Sequence, residues 1–261
     1  MDQSTYSTCF APVPALDDTL KRQMASLYLG SYEASSEALF LDDLSRKDEV
    51  LLLQAEAELV GFTTVRVFER EWHGQRIRVV YSGDTIVERA HWGQQALAFA
   101  WIARMGALKR EHPQIPLYWL LLVKGHRTFR YLPVFGKSFH PHWSADCGDL
   151  KPLADALALD LFPHDYNPAT GVVEFGRSRG HLKAHLAQPT PAELDREGVP
   201  RAQSWLPARP RARVLVRGGR AQHEAAHPET LPQGCPCLLA PGTNSRLRCR
   251  AKHASLGSRP S

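Results

Sequence analysis

The sequence predicts an α/β chain built on a mixed sheet, mostly antiparallel, with one parallel pair of strands at its centre. Three observations predict it. Residues 49–86 read as successive strands joined by two tight turns. Leu97, Trp101, Met105 and Leu108 recur at spacings of four, four and three, which stripes one side of a helix. Leu117 to Val123 is an almost wholly apolar run, too short to span a membrane and right for an interior strand. Strand, helix and strand in that order form a crossover unit, so the two strands flanking the helix should be parallel.

Taken in order, residues 1–15 lack periodicity and carry Pro12 and Pro14, which predicts a flexible arm. Leu16, Leu20, Met24 and Leu27 then mark a helix over 16–29, with Asp17 and Asp18 near the positive end of its dipole. A shorter amphipathic helix follows over 33–44. Residues 49–55 and 59–68 form a hairpin through Glu56-Ala57-Glu58, and Trp72-His73-Gly74-Gln75 turns the chain again, with Gly74 at positive φ. In 76–86, Ile77, Val79 and Tyr81 share one face opposite Arg76, Arg78 and Val80, the period of a half-exposed strand. His112-Pro113 stops the striped helix. Phe129, Leu132 and Phe135 suggest a short helix kinked at Pro133. A loop over 140–150, a helix over 150–162, a turn at 165–171 and a short strand at 172–175 complete the periodic part.

Composition limits the function classes. The 261 residues suffice for one large or two small domains with a real core. Met1 to Thr8 resembles no signal peptide, no run of eighteen apolar residues exists, and five scattered cysteines form no disulfide framework, so a cytoplasmic protein is expected. The net charge of +5 conceals two parts. Residues 1–175 hold 17 Lys+Arg against 22 Asp+Glu, whereas 176–261 hold 15 against 5. Periodicity ends near Pro200, and 201–261 carry ten Arg, one Lys and two acids. This predicts a basic, low-order tail. Its Arg, Pro, Ala and Gly excess is also what GC-rich DNA yields when read out of frame. A nucleic-acid arm is the weaker reading, because Trp205 is the tail's only aromatic. Cys235, Cys237, Cys249 and His253 fit no common zinc spacing, and no metal is expected.

The order of helix, helix, antiparallel meander, turn, helix and buried strand resembles the GNAT (Gcn5-related N-acetyltransferase) superfamily, in the manner of its uncharacterised bacterial members. Leu59-Val60-Gly61-Phe62, Tyr81-Ser82-Gly83-Asp84-Thr85-Ile86-Val87 and Trp92-Gly93-Gln94-Gln95-Ala96 carry the resemblance. It covers roughly residues 16–140, with 141–200 as an extension of the same domain. It implies a sheet whose two central parallel strands part, with acetyl-CoA as co-substrate in the opening. Ile86, Val87, Arg89, Trp92, Gly93, Gln94, Gln95 and Ala96 are the implied cofactor-binding residues. The family's turn runs Gln or Arg, two residues, Gly, one residue, then Gly or Ala. Here Arg89 stands four before Gly93, and Gln95 occupies the place of the second small residue.

Transfer of an acetyl group to an amine needs a base, donors for the developing oxyanion and an acid for the thiolate. Asp84 is the candidate base, with Glu88 next, and either could instead bond the turn backbone. The resemblance makes Tyr131 the candidate acid, and it could equally be an aromatic packed beside Phe129 and Phe135. His91 and His126 lie near the expected cleft. The expected function is acyl transfer to a small-molecule or protein amine, by a monomer or homodimer that meets neither membrane nor nucleic acid. The alternatives are a non-catalytic binding protein of the same fold and a basic-tailed nucleic-acid binder.

Overall fold

Our computed structural model describes residues 5–123, 128, 134–135, 138–142, 148–175 and 180–187, and the backbone of 212–219. All belong to one unit, Met1–Glu224; a second unit, Ala225–Ser261, falls outside the described residues.

The elements are β1 (Tyr6–Pro12), α1 (Asp18–Ser31), β2 (Tyr32–Glu33), α2 (Glu37–Leu44), β3 (Glu49–Ala55), β4 (Glu58–Trp72), β5 (Gln75–Val87), α3 (Ala96–Glu111) and β6 (Leu117–Val123). They continue as β7 (Ser138–His140), α4 (Leu150–Leu161), β8 (Tyr166–Asn167), β9 (Val172–Val173), β10 (His181–Leu182), α5 (Ala184–Ala187) and β11 (Ala212–Gly219). The sheet order is β1-β3-β4-β5-β6-β11-β9-β8, with β7 also on β11. Every ladder in it is antiparallel except β5–β6, which is parallel. This is the mixed sheet with a central parallel pair that the GNAT resemblance implies.

Local chemistry sets the boundaries. Asp17 caps α1 by accepting from the Leu20 N–H at 2.7 Å, and Ser36 caps α2 by accepting from Leu39 at 3.2 Å. These caps start both helices later than apolar spacing suggests. The β3–β4 turn uses positive φ at Glu56 and Ala57, and the β4–β5 turn uses it at His73 and Gly74.

Helices cover both faces. Leu51, Leu53, Val65, Val80, Trp119 and Leu121 pack with Leu97, Trp101 and Leu108 of α3. On the other face, Val50, Leu52, Phe62 and Ile86 meet Met24, Tyr28, Phe40 and Leu44 of α1 and α2. Ile77, Val79, Tyr81 and Leu120 meet Leu153, Ala154 and Leu157 of α4 there. Each large apolar side chain so buried contributes about 1.5–3 kcal/mol.

Three expectations need correction. β5 is not half-exposed: Val79 and Val80 are both fully buried, because α4 covers one face and α3 the other. Residues 6–12 of the expected flexible arm form β1, paired with β3 from Tyr6–Ala55 to Pro12–Glu49. The low-order tail contains β11, which pairs with β6 from Arg213–Val123 to Gly219–Leu117. The rest of 201–261, including Cys235, Cys237, Cys249 and His253, lies outside the described residues.

Candidate functional site

The parallel ladder of β5 and β6 runs from Arg78–Leu117 to Ser82–Leu121 and stops. β5 continues to Val87 and β6 to Val123, so the two strands part beyond Ser82. At the same point β5 is irregular against β4: Thr63 faces Thr85, whereas Val65 faces Ser82. β5 therefore spends one more residue than β4 over this step, a bulge at Gly83 and Asp84.

The bulge sends neighbouring residues to opposite faces. Ser82 and Thr85 turn to the α3 face, where Thr63, Leu97, Trp101, Trp119, Leu121 and Thr128 complete a shallow cleft whose space, about 320 Å³, includes open solvent. Thr63 and Thr85 share a hydroxyl hydrogen bond at 2.8 Å. Trp119 donates its indole N–H to Ser82 Oγ at 2.9 Å.

On the α1–α2 face, Gly83 lies over Lys47. A Cβ on Gly83 would press on Thr64 Oγ1 and stand 2.8 Å from Lys47 Cε, so any larger residue there forces these side chains to shift. Lys47 is buried and donates to the Asp43 carboxylate at 2.5 Å, with its ammonium 5.5 Å from the Tyr81 ring centre. Asp84 faces the stacked rings of Tyr28 and Tyr32, whose centres are 4.8 Å apart. Burial, then the Asp84 charge, pushes the Tyr28 phenol up to about 12, and the same two causes raise Tyr32 further. Both phenols thus stay protonated beside the carboxylate. The α1–α2 connection is held from outside by β10, where His181 Nε2 lies 3.1 Å from Glu33 Oε1.

The turn after β5 is built differently from the expected one. A 3-10 turn, Arg89–His91, precedes Trp92, and Gly93 takes φ +92° in the open. α3 begins only at Ala96, and Gln95 at its cap makes no side-chain capping bond. The Gln94 side chain instead accepts from the Leu97 N–H at 3.2 Å. Arg89 lies over the Trp92 ring at 5.8 Å, and His91 Nδ1 is 3.0 Å from Tyr6 Oη.

One contact here concerns the strand edge. Glu88 donates its N–H to Val60 O of β4 at 2.9 Å. A trans peptide points its C=O opposite to its N–H, so Val87 O points away from β4, into the gap left by β6. Trp92 Nε1 donates to that oxygen at 2.9 Å.

Of the residues expected at the site, Val87, Arg89, Trp92, Gly93, Gln94, Gln95 and Ala96 do gather at the β5–α3 junction. Ile86 is different: its side chain is buried in the α1–α2 core and its carbonyl lies against Gly61. Thr85 and Val87 line the gap instead. Asp84 sits at the bulge, but turned to the opposite face from Ser82 and Thr85. Glu88 is exposed and 4.0 Å from His91. Tyr131 and His126 lie outside the described residues. Sequence reasoning missed Thr63, Ser82, Thr85, Lys47 and Trp101. The one available signal was Gly83 in the middle of a strand, which marks a bulge or a close approach.

No family model matches the chain, and no curated protein matches it. Solved structures do. A conserved Enterococcus faecalis V583 protein described as a probable N-acyltransferase aligns over 48% of this chain and 31% of its own, at 12% identity and TM-score 0.38. A GCN5-related N-acetyltransferase from Kribbella flavida aligns over 52% and 34%, at 15% identity and TM-score 0.38. The GNAT family protein YhbS from Escherichia coli, in complex with CoA, aligns over 50% and 71%, at 14% identity and TM-score 0.36. The chain thus spans about a third of the length of the first two. Likeness of this degree assigns neither activity nor substrate.

Proposed function

We propose that the chain is an acyl-CoA-dependent N-acyltransferase, moving an acetyl or similarly short acyl group to an amine. The observation that carries this reading is the parting of β5 and β6 at a bulge that serves two faces. Ser82 and Thr85 line a cleft on one side and Asp84 borders an aromatic, carboxylate-bearing wall on the other, so a donor and an amine can meet through the gap. CoA would supply an activated acyl thioester. The open N-terminus of α3, Gly93 and Arg89 suit its pyrophosphate, through helix-dipole attraction and a cation within reach. Thr85 and Val87 offer backbone groups along the gap. Asp84 would hold the incoming ammonium and take its proton, and Tyr131 is assigned the return of a proton to the departing thiolate. Residues 16–140 with the extension 141–200 form the proposed working unit, its sheet completed by β1 and β11.

A second reading, a non-catalytic protein of this fold, is favoured by two contacts. Trp92 already occupies Val87 O, and Gln94 already occupies the Leu97 N–H. Calorimetry with acetyl-CoA and CoA separates the readings. Binding is expected, and Gly93→Glu, which sets a carboxylate at the phosphate position, should weaken it by about two orders of magnitude. Absence of heat at millimolar ligand would sink the enzyme reading.

A further inference from the structure

Four of the polar side chains that meet in the cleft on the α3 face are mutually satisfied: Thr63 with Thr85, and Ser82 with Trp119. Trp101 is not. It lines the cleft, is 3% exposed, and its Nε1 has no hydrogen-bond partner among the described residues. A buried N–H left unpaired is costly enough that nearly all find an acceptor. We infer that the Trp101 indole N–H is a recognition donor for an oxygen of the acyl group, and that this cleft is where that group lodges. The inference rests on the acyltransferase reading and adds the class of acyl donor to it.

The lining also restricts that oxygen. Ser82 Oγ accepts from Trp119 and so keeps its own proton to give, and one member of the Thr63–Thr85 pair does the same. The cleft therefore offers donors more readily than acceptors, which suits a carbonyl or ether oxygen better than an amide N–H. None of the described lining residues is charged. Much of the roughly 320 Å³ between these side chains is open solvent and little of it is enclosed, so the lining favours a short acyl chain. Leu97, Leu121 and the Trp101 and Trp119 rings, 5.3 Å apart, form its apolar walls.

The oxygen has two sources on such a donor, the thioester carbonyl itself or a second oxygen at the β position. Acetoacetyl-CoA and butyryl-CoA differ chiefly by a β-carbonyl, and CoA lacks both oxygens, so calorimetry with CoA, acetyl-CoA, butyryl-CoA and acetoacetyl-CoA distinguishes the sources. Each is titrated into the full chain and into Trp101→Phe, which removes the N–H and keeps an aromatic wall. With a β-oxygen as partner, acetoacetyl-CoA binds about three- to tenfold tighter than butyryl-CoA, and Trp101→Phe abolishes the difference. With the thioester carbonyl as partner, all three acyl forms exceed CoA by a similar factor, and the variant abolishes that instead. In either case CoA itself binds both proteins alike. The indole N–H resonance of Trp101 in the unmodified protein, assigned by its loss in the variant or by elimination among the six tryptophans, should move downfield on adding the preferred acyl-CoA but not CoA. That second measurement stands even if the variant does not fold. Equal affinities for all four ligands, with a stationary Trp101 resonance, would overturn the assignment while leaving CoA binding intact. Failure of all four to bind would overturn it together with the acyltransferase reading.

Discussion

Trp92→Phe should move stability and cofactor affinity in opposite directions. The indole donates to Val87 O at 2.9 Å, a good neutral hydrogen bond at a half-buried position, worth about 1 kcal/mol net. Phe keeps a ring beneath Arg89 but loses the donor. For a body of this size, about 1 kcal/mol lowers the melting midpoint by roughly 2–4 °C. Any ligand that pairs with β5 at Val87 must first displace the indole, so the same contribution is subtracted from its binding. Removing it should tighten CoA about fivefold. Thermal melts followed by circular dichroism and calorimetry with CoA read the two effects on one preparation. If affinity and midpoint fall together, Trp92 supports the ligand and does not compete with it. If affinity is unchanged while the midpoint falls, the ligand never reaches Val87 O. Either result refutes the reasoning.

Three further predictions follow from packing and charge. Gly61→Ala places a Cβ 2.7 Å from Ile86 O, a backbone atom that cannot swing aside, and should cost about 1–3 kcal/mol in chemical denaturation; a neutral result would show that β4 and β5 can move apart where Gly61 faces Val87. Glu49→Gln breaks a two-point pairing with Arg104 Nε and Nη2 at 2.9 and 3.1 Å that ties β3 to α3, and the midpoint should fall by a few degrees at low salt and by less at high salt. Tyr28 and Tyr32 keep in the fold protons that the unfolded chain releases near pH 10, so their contribution is whole below about pH 10 and is lost as pH rises through about 12 for Tyr28 and higher for Tyr32. Asp84→Asn removes one cause of both shifts and should shrink the alkaline loss of stability, and identical pH–stability slopes would place Asp84 away from both rings.

The framework was legible where a single physical signal dominated. Leu97, Trp101 and Leu108 are buried as their spacing requires, and Gly74 takes the positive φ its turn needs. The parallel pairing of β5 and β6 followed from a helix lying between two apolar strands. Legibility failed where partners are remote in sequence. β1 has no strong period of its own and owes its place to β3, which lies beyond both N-terminal helices. Val80 and Val79 could not both be seen as buried before α4 was known to cover one face. At the site, the residues of the β5–α3 turn were read by proximity, whereas Thr63, Ser82, Thr85 and Trp101 converge only because a bulge changes the facing of β5. Strand alternation carries no record of such a shift, so Ile86 was expected at an edge that Thr85 and Val87 present.

The insertion of β11 beside β6 has a consequence for how the chain comes to be folded. β6, Leu-Tyr-Trp-Leu-Leu-Leu-Val, has β5 on one side as soon as the crossover forms, but its other side waits for residues 212–219. During synthesis, the 96 further residues 124–219 must leave the ribosome before that row of backbone groups is fully paired. An apolar strand with an open edge is a template for pairing with other chains. Long-range closure of this kind is also slow, because loop entropy is lost before any ladder bond is gained. The nascent protein therefore passes through a stage in which its most apolar strand is its least protected one. Yield of folded protein should depend on chaperone capacity and synthesis rate more than on the stability of the finished sheet.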